Sequence, residues 1–510
     1  MKNLLKLTTL AIFFSVLGTT NALAQNNYWV TKAGSDDNNC SNTTNDACLT
    51  IQKGVSLLAP GDTLNVGAGT YTDDGGVSPY IPSGTFVGWL DSNPPSSNVV
   101  ITVDGELNNM ITIQATPGDE GLVFIDGENQ RMPIHMQNSD YIRISGFNLV
   151  NSRGRAIASW GQIANAVADP TRLSIGVVIE NNRIINTTGD FGHNINAISM
   201  WGSQDWIVRN NYIDTIYEAD VGTNNFNRWA TAIMAYGVIN ATIEHNEIKN
   251  TGAGIFWKDH FITDLATRGL VNESEIRYNK IEANGKPVYV GIRGTNSVEA
   301  GDNYIHHNIL YGHGANEEGG VDIEMGGAFA QSGDVRIEHN LIDGGGITNA
   351  RGIKVDASRN ITVRGNIIIR SKVNAEYIAW NSAVALGKQP TLNASDYNIY
   401  HDVEWLVSVD KFGVSDQGFA TLPSWQAALA SQSITLNFDS PDANSITEIP
   451  ENLFENLNDK NYIYKAESPA IGMMPNGSNA GPYQFGNEII GLLLQWPGAS
   501  VDLIFANDFE

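Results

Sequence analysis

The chain has 510 residues, 42% of them hydrophobic, and its 55 acidic side chains outnumber 30 basic ones for a formal net charge of −25. That balance argues against nucleic acid as a partner, because a polyanion is held by a basic surface. After the first 24 residues no stretch of 18 uninterrupted apolar residues occurs, so no membrane-spanning helix is expected.

In chain order, Met1-Lys2, an apolar stretch from Leu4 to Gly18 and Ala22-Leu23-Ala24 read as a secretory leader over residues 1–24. They imply bacterial-type export, to the periplasm or the medium. Cys40 and Cys48 are the only cysteines; in a polar loop of an exported chain they are expected to form a disulfide.

From residue 179 a pattern recurs, apolar-x-x-Asn-x-apolar: IENNRI, VRNNYI, IEHNEI, IRYNKI, IHHNIL, IEHNLI and VRGNII, with asparagines at 182, 211, 246, 279, 308, 340 and 366. An earlier copy, ISGFNL, carries Phe147 at that place. Between copies lie short β-branched runs punctuated by Gly, Asn and Asp, with no helical periodicity. A coil of strands and tight turns follows. Each asparagine is expected in a left-handed turn, bonded to its copies above and below.

A second set of runs also recurs: AISMWG (197–202), AIMAYG (232–237), GIFWKD (254–259), VGIRG (290–294), GVDIEM (320–325) and GIKVDA (352–357). Alternation puts Ile198 and Met200, Ile233 and Ala235, Ile255 and Trp257, Val290 and Ile292, Val321 and Ile323, and Ile353 and Val355 inward. Two outward columns result. One runs Ser199, Met234, Phe256, Gly291, Asp322, Lys354; the other runs Trp201, Tyr236, Lys258, Arg293, Glu324, Asp356. Sugar rings lay C–H faces on Trp and Tyr. Lysine beside arginine supplies a base whose pKa a neighbouring cation lowers, which suits removal of the proton next to a uronate carboxylate. Around them, residues 249–293 hold seven basic against five acidic side chains. His260 and Arg268 lie in the long insertion after Lys258, a candidate lid. His245, His307 and His339 precede ladder asparagines and read as turn positions rather than a metal site.

The repeat resembles the right-handed parallel β-helix proteins, an all-β fold. Residues 27–71 resemble the N-terminal segment of exported members, with a short helical cap around Ile51 to Leu58, and residues 461–486 resemble their irregular C-terminal cap. The resemblance implies a leader at 1–24, a solenoid with its cap over 25–400, and the solenoid end, cap and tail over 401–510. WKDH and VGIRG resemble the β-helix polysaccharide lyases of the chondroitinase B and alginate lyase kind, which use a lysine base with an arginine on the next coil. That implies Lys258 as base, Arg293 as charge neutraliser or acid, and Trp201, Tyr236, Phe256, Lys354 and His260 as substrate contacts. The partner implied is an acidic polysaccharide of the alginate, pectin or glycosaminoglycan class, met by a monomer. Those lyases carry calcium ligands on the strand before the lysine; here that strand is IMAYG, without a carboxylate. Calcium ligands are then sought at Asp322, Glu324 and Asp356. The same acids support a β-helix glycoside hydrolase, although of the polygalacturonase signatures only the fragment GHGAN (312–316) occurs, and a non-catalytic glycan-binding solenoid remains a third reading.

Overall fold

The computed structural model describes residues 25–73, 96–137, 139–160, 173–190, 194–220, 223–225, 230–258, 274–285, 287–292, 299–300, 302–312, 319–325, 331–332, 335–346, 351–356, 361–371, 374–379, 392–403, 405–411, 414–430 and 442–493. The leader, Arg268 and the C-terminal DLIFANDFE lie outside them.

Each coil lays one strand on each of three long parallel sheets. One coil shows the order: Ala241–Glu244 on the first sheet, the turn at Asn246, Glu247–Thr251 on the second, and Ala253–Lys258 on the third. All pairings along the solenoid between successive coils in these sheets are parallel, up to a final antiparallel hairpin of Trp405–Lys411 with Val414–Phe419. The interior is one continuous apolar core, containing Ile198, Met200, Ile233, Ala235, Ile255, Trp257, Val288 and Ile353. At the head of the third-sheet strands alternation fails. Ala156, Ala197 and Ala232 join the core beside Ile157, Ile198 and Ile233, since at a corner two successive small residues both turn inward.

The asparagine ladder sets the spacing. Backbone N–H groups of Asn182, Asn211, Asn246, Asn279, Asn308, Asn340 and Asn366 each donate to Oδ1 of the next ladder asparagine at 2.9–3.1 Å. Each Nδ2 donates to that same Oδ1, and to a backbone carbonyl of the previous coil; for Asn279 these are Asn308 Oδ1 at 3.0 Å and Ile243 O at 2.9 Å. The ladder extends one rung further than the repeat shows, to Asn398, whose copy SDYNIY has Ser395 in place of the leading apolar residue. The left-handed residue is not the asparagine itself but the one before it: Asn181, Asn210, His245, Tyr278, His307, His339 and Tyr397 all have φ between 52° and 59°. That corrects the expected turn. The asparagine uses its side chain for the ladder while its neighbour makes the corner.

Near the N-terminus a helix covers Ile51–Val55, with Thr50 Oγ1 accepting from Lys53 N–H at 3.2 Å, shorter than the span to Leu58. Ile51, Val55 and Leu58 reach the core. Cys40 and Cys48 form the expected disulfide. At the other end, buried Asp442 accepts from Ser395, Ser445, Tyr400 and Trp425. The C-terminal segment then turns back along the solenoid. It covers an outer apolar column of the second sheet, Ile309, Leu341, Ile367 and Ile399, with Leu453, Phe454, Tyr462 and Ala480. Earlier coils carry Arg183, Tyr212, Glu247 and Lys280 in that column, and the switch to isoleucine and leucine occurs where the covering segment begins.

Removing one rung tests the ladder. Asn279→Ala strips Asn246 N–H and Nδ2 of their acceptor and two carbonyls of a donor, three of these four bonds buried and that to Arg277 O part-buried; a loss of about 3 kcal/mol in denaturant unfolding is expected.

Candidate active site on the third sheet

Strand register on the third sheet orders the residues singled out by pattern. One column runs His135, Ala158, Ser199, Met234, Phe256, Tyr289, Asp322, Lys354. The other runs Trp160, Trp201, Tyr236, Lys258, Gly291, Glu324, and Asp356 follows one residue after the pair Ile323–Val355. Trp201, Tyr236, Lys258 and Glu324 thus stand in one column as expected, about 4.8 Å apart from coil to coil.

Gly291 takes the place beside Lys258 at which Arg293 was expected. Lys258 pairs with Gly291, so the coil Val288–Ile292 is slipped by two residues from its expected placement, and Tyr289 takes the position expected for Gly291. Val288 and Val290 pair in register with Ile255 and Trp257 accordingly. A two-residue slip keeps every side chain on its face, which is why alternation did not reveal it. Arg293 and His260 themselves lie outside the described residues. For Tyr236, Lys258, Asp322, Glu324, Lys354 and Asp356 the description extends to strand position and register.

From His135 to Phe256, where its burial is described, the first column is not an open surface. Ser199, Met234 and Phe256 are buried, and Met234, Ala253 and Phe256 form a separate small cluster with Trp201 packed against it. Phe256 therefore sits beneath the outer surface instead of offering a ring to a ligand. Trp201 is half-buried, and the Arg155 guanidinium lies 5.8 Å over its ring. Burial lowers the Arg155 pKa to about 10; burial, with Arg155 nearby, lowers that of His135 to about 4. Trp160, Arg155, His135 and Tyr289 are absent from the expected site. RAIASW does match AISMWG, but its coil carries Phe147 instead of a ladder asparagine and so escapes an asparagine-based reading.

The first sheet offers charge without an open site. Glu180, Arg209, Glu244, Arg277, His306, Glu338, Arg364 and Asp396 are in register and largely alternate in sign. Arg209 bonds Glu180 at 2.6 Å, and Arg277 bonds Glu244 at 2.8 Å and Glu275 at 2.9 Å. The histidines before the ladder stack as turn residues: His245 on Tyr278 at 5.0 Å and His307 on His339 at 5.0 Å. Among the described residues no group of three or more His, Cys, Asp or Glu is arranged to hold a metal, and no helix is long and apolar enough to cross a membrane.

The family model described as right handed beta helix region matches residues 196–389. This stretch is a right-handed β-helix. The β-helix of residues 196–389 contains every residue of the candidate column from Trp201 to Asp356. No curated protein matches the chain. Solved structures similar to it include a rhamnogalacturonan lyase, 14% identical over 92% of this chain and 96% of that one, with a TM-score of 0.39. A PL6 family polysaccharide lyase from Pseudopedobacter saltans is 10% identical over 87% and 97%, TM-score 0.41, and a periplasmic alginate epimerase is 9% identical over 79% and 84%, TM-score 0.38. At these distances the chemistry has to be argued from the chain's own residues.

Burial lowers the pKa of His245 and His306, of His339 to about 4 and of His307 to about 3. The unfolded chain, with histidines near 6.5, binds more protons over this range, so stability rises with pH. Thermal unfolding is expected to occur at a steadily lower temperature as pH falls from about 6.5 toward 4, and His307→Asn should flatten that slope.

Proposed function

We propose that the chain is an exported polysaccharide lyase that cleaves a uronic-acid-containing polysaccharide by β-elimination, with Lys258 as the base. The observation that supports this most is the register of Trp201, Tyr236, Lys258, Gly291 and Glu324 in one column, opposite an apolar inner face. Two aromatic positions lead to an amine. The next coil then carries glycine, and a position without a side chain leaves room for a sugar ring beside the base.

The chemistry assigns the roles. Lys258, unprotonated, takes the proton from the carbon next to the carboxylate; the electron pair forms the double bond as the glycosidic oxygen leaves from the neighbouring carbon. The carboxylate must be neutralised for that proton to become acidic. Arg293 follows Gly291 by two residues in sequence, and the long side chain and forked guanidinium of an arginine suit that role. Trp201 and Tyr236 are the proposed platform; Lys354 and His260 are proposed further contacts for an anionic sugar. The substrate class is an acidic polysaccharide such as alginate, pectin or a glycosaminoglycan. A calcium ion would have Asp322, Glu324 and Asp356 as carboxylate ligands, Asp322 being paired in register with Lys354. Further oxygens would have to complete the six to eight that calcium takes, and no step of the proposed reaction passes through it.

One observation favours a second reading. Glu324 and Asp356 follow the paired residues Ile323 and Val355, so the two acids stand on adjacent coils, whose strands run about 4.8 Å apart, a backbone spacing compatible with the carboxyl pair of a retaining glycosidase.

A panel of uronate polymers separates the two. New ultraviolet absorbance from unsaturated ends, abolished in Lys258→Ala, is the expected outcome; reducing ends without absorbance indicate hydrolysis, and binding with neither a glycan-binding solenoid. Full activity in Lys258→Ala refutes the mechanism.

A further inference from the structure

Residues 481–493 form a strap over the corner between the first and second sheets. Gly481 N–H donates to Gly365 O at 2.6 Å, Gly491 N–H to Tyr278 O at 2.8 Å, and Leu493 N–H to Asn210 Oδ1 at 2.6 Å. It therefore runs against the direction of coil growth, crossing the coils of Gly365, His339, His307, Tyr278, His245 and Asn210. Of the six corner residues it crosses, His245, Tyr278, His307 and His339 carry rings, between Asn210 at one end and Gly365 at the other.

Below the strap runs a chain of hydrogen-bonding atoms. Glu275 Oε1 is 3.0 Å from His306 Nε2, His306 Nδ1 is 2.5 Å from His307 Nδ1, His307 Nε2 is 3.0 Å from Gln484 Oε1, and Gln484 Nε2 is 3.4 Å from His339 Nε2. Ser478 Oγ lies 3.5 Å from the same Gln484 nitrogen. With all three histidines neutral only one arrangement of protons satisfies every link, because each neutral imidazole has one donor and one acceptor nitrogen; one added proton on His306 gives an arrangement that runs the other way, whereas on His307 or His339 it leaves the link from His307 to His306 unreversed.

With all three histidines neutral, His306 Nε2–H donates to Glu275, His307 Nδ1–H to His306, the Gln484 amide N–H to His307 Nε2, and His339 Nε2–H to the amide oxygen. With one more proton, His306 is an imidazolium held by Glu275 and the order reverses. His306 Nδ1–H then donates to His307, His307 Nε2–H to the amide oxygen, and the amide N–H to His339. The amide orientation in the structure matches the second arrangement, and a half-turn of the amide gives the first. A second proton fits neither, since it sets N–H against N–H at some link.

We infer that Glu275, His306, His307, Gln484 and His339 form a proton-ordered chain that reverses direction on gaining one proton and that latches the C-terminal strap until a second proton breaks it. Groups facing the chain fix where the first proton goes. Glu275, shared with Arg277, is the carboxylate in contact with an imidazole; His307 and His339 face each other, Tyr278, and the strap, while Arg364 opposes charge on His339. Glu244, Tyr304, Glu338 and Arg336 surround the strands beneath, and Glu488 is the strap's own acid near Tyr278.

Imidazole nitrogen-15 spectra of the full chain, assigned with single His→Asn variants, read the tautomers directly. Expected is a shared midpoint at which His306 gains its second proton while His307 changes from Nδ1–H to Nε2–H and His339 from Nε2–H to Nδ1–H. Amide exchange at Gly481, Gly491 and Leu493 should accelerate only below that midpoint, and Gln484→Leu should remove this pH dependence while keeping the backbone bonds. Separate midpoints, a fixed His307 tautomer while His306 titrates, or strap protection that persists through full protonation overturn the inference.

Discussion

The buried amide of one asparagine per coil carries the structure. Its Oδ1 accepts from the backbone and side chain of the previous copy, and its Nδ2 spans to a carbonyl on the coil before, so each turn is fixed in height and in phase to its neighbours. Without that constraint, parallel strands can slide by two residues with no change of buried face. With it, side chains distant in sequence fall into columns, and a column is what lets single residues from several coils act as one site.

The cause of most fold features was legible in the sequence because they repeat. Seven asparagines at a common pattern defined the ladder, and the inner residues Ile198, Met200, Ile233, Ala235, Ile255 and Trp257 follow from strict alternation. Where repetition ends, legibility ends. Val288 and Val290 are both apolar and of the same parity, so nothing in VYVGI marks which of them pairs with Trp257, and Gly291 stands beside Lys258 where Arg293 was expected. Asn398 was missed because Ser395 breaks its pattern.

Burial of an outer column is a different kind of property. Met234 and Phe256 point away from the core by parity, yet they are covered, and what covers an outer face is not written in the strand that carries it. The same holds for the strap. Gln484 reaches His307 across 177 residues of sequence, and the local sign at the corner is a run of histidine and tyrosine at 245, 278, 307 and 339. Structure and proposed chemistry are separated in space: the strap and its proton-ordered chain occupy the corner of the first two sheets, and the Trp201-to-Glu324 column occupies the third.

The central functional claim is that the amine at position 258 acts as a base. Its most direct test is Lys258→Cys, assayed for unsaturated ends before and after alkylation of the thiol with bromoethylamine, which rebuilds an amine of lower pKa at the same reach. The account predicts an inactive cysteine variant, activity restored by alkylation, and a pH–rate profile displaced to lower pH relative to the native chain. Activity in the unmodified cysteine variant, or restoration with an undisplaced profile, would contradict it.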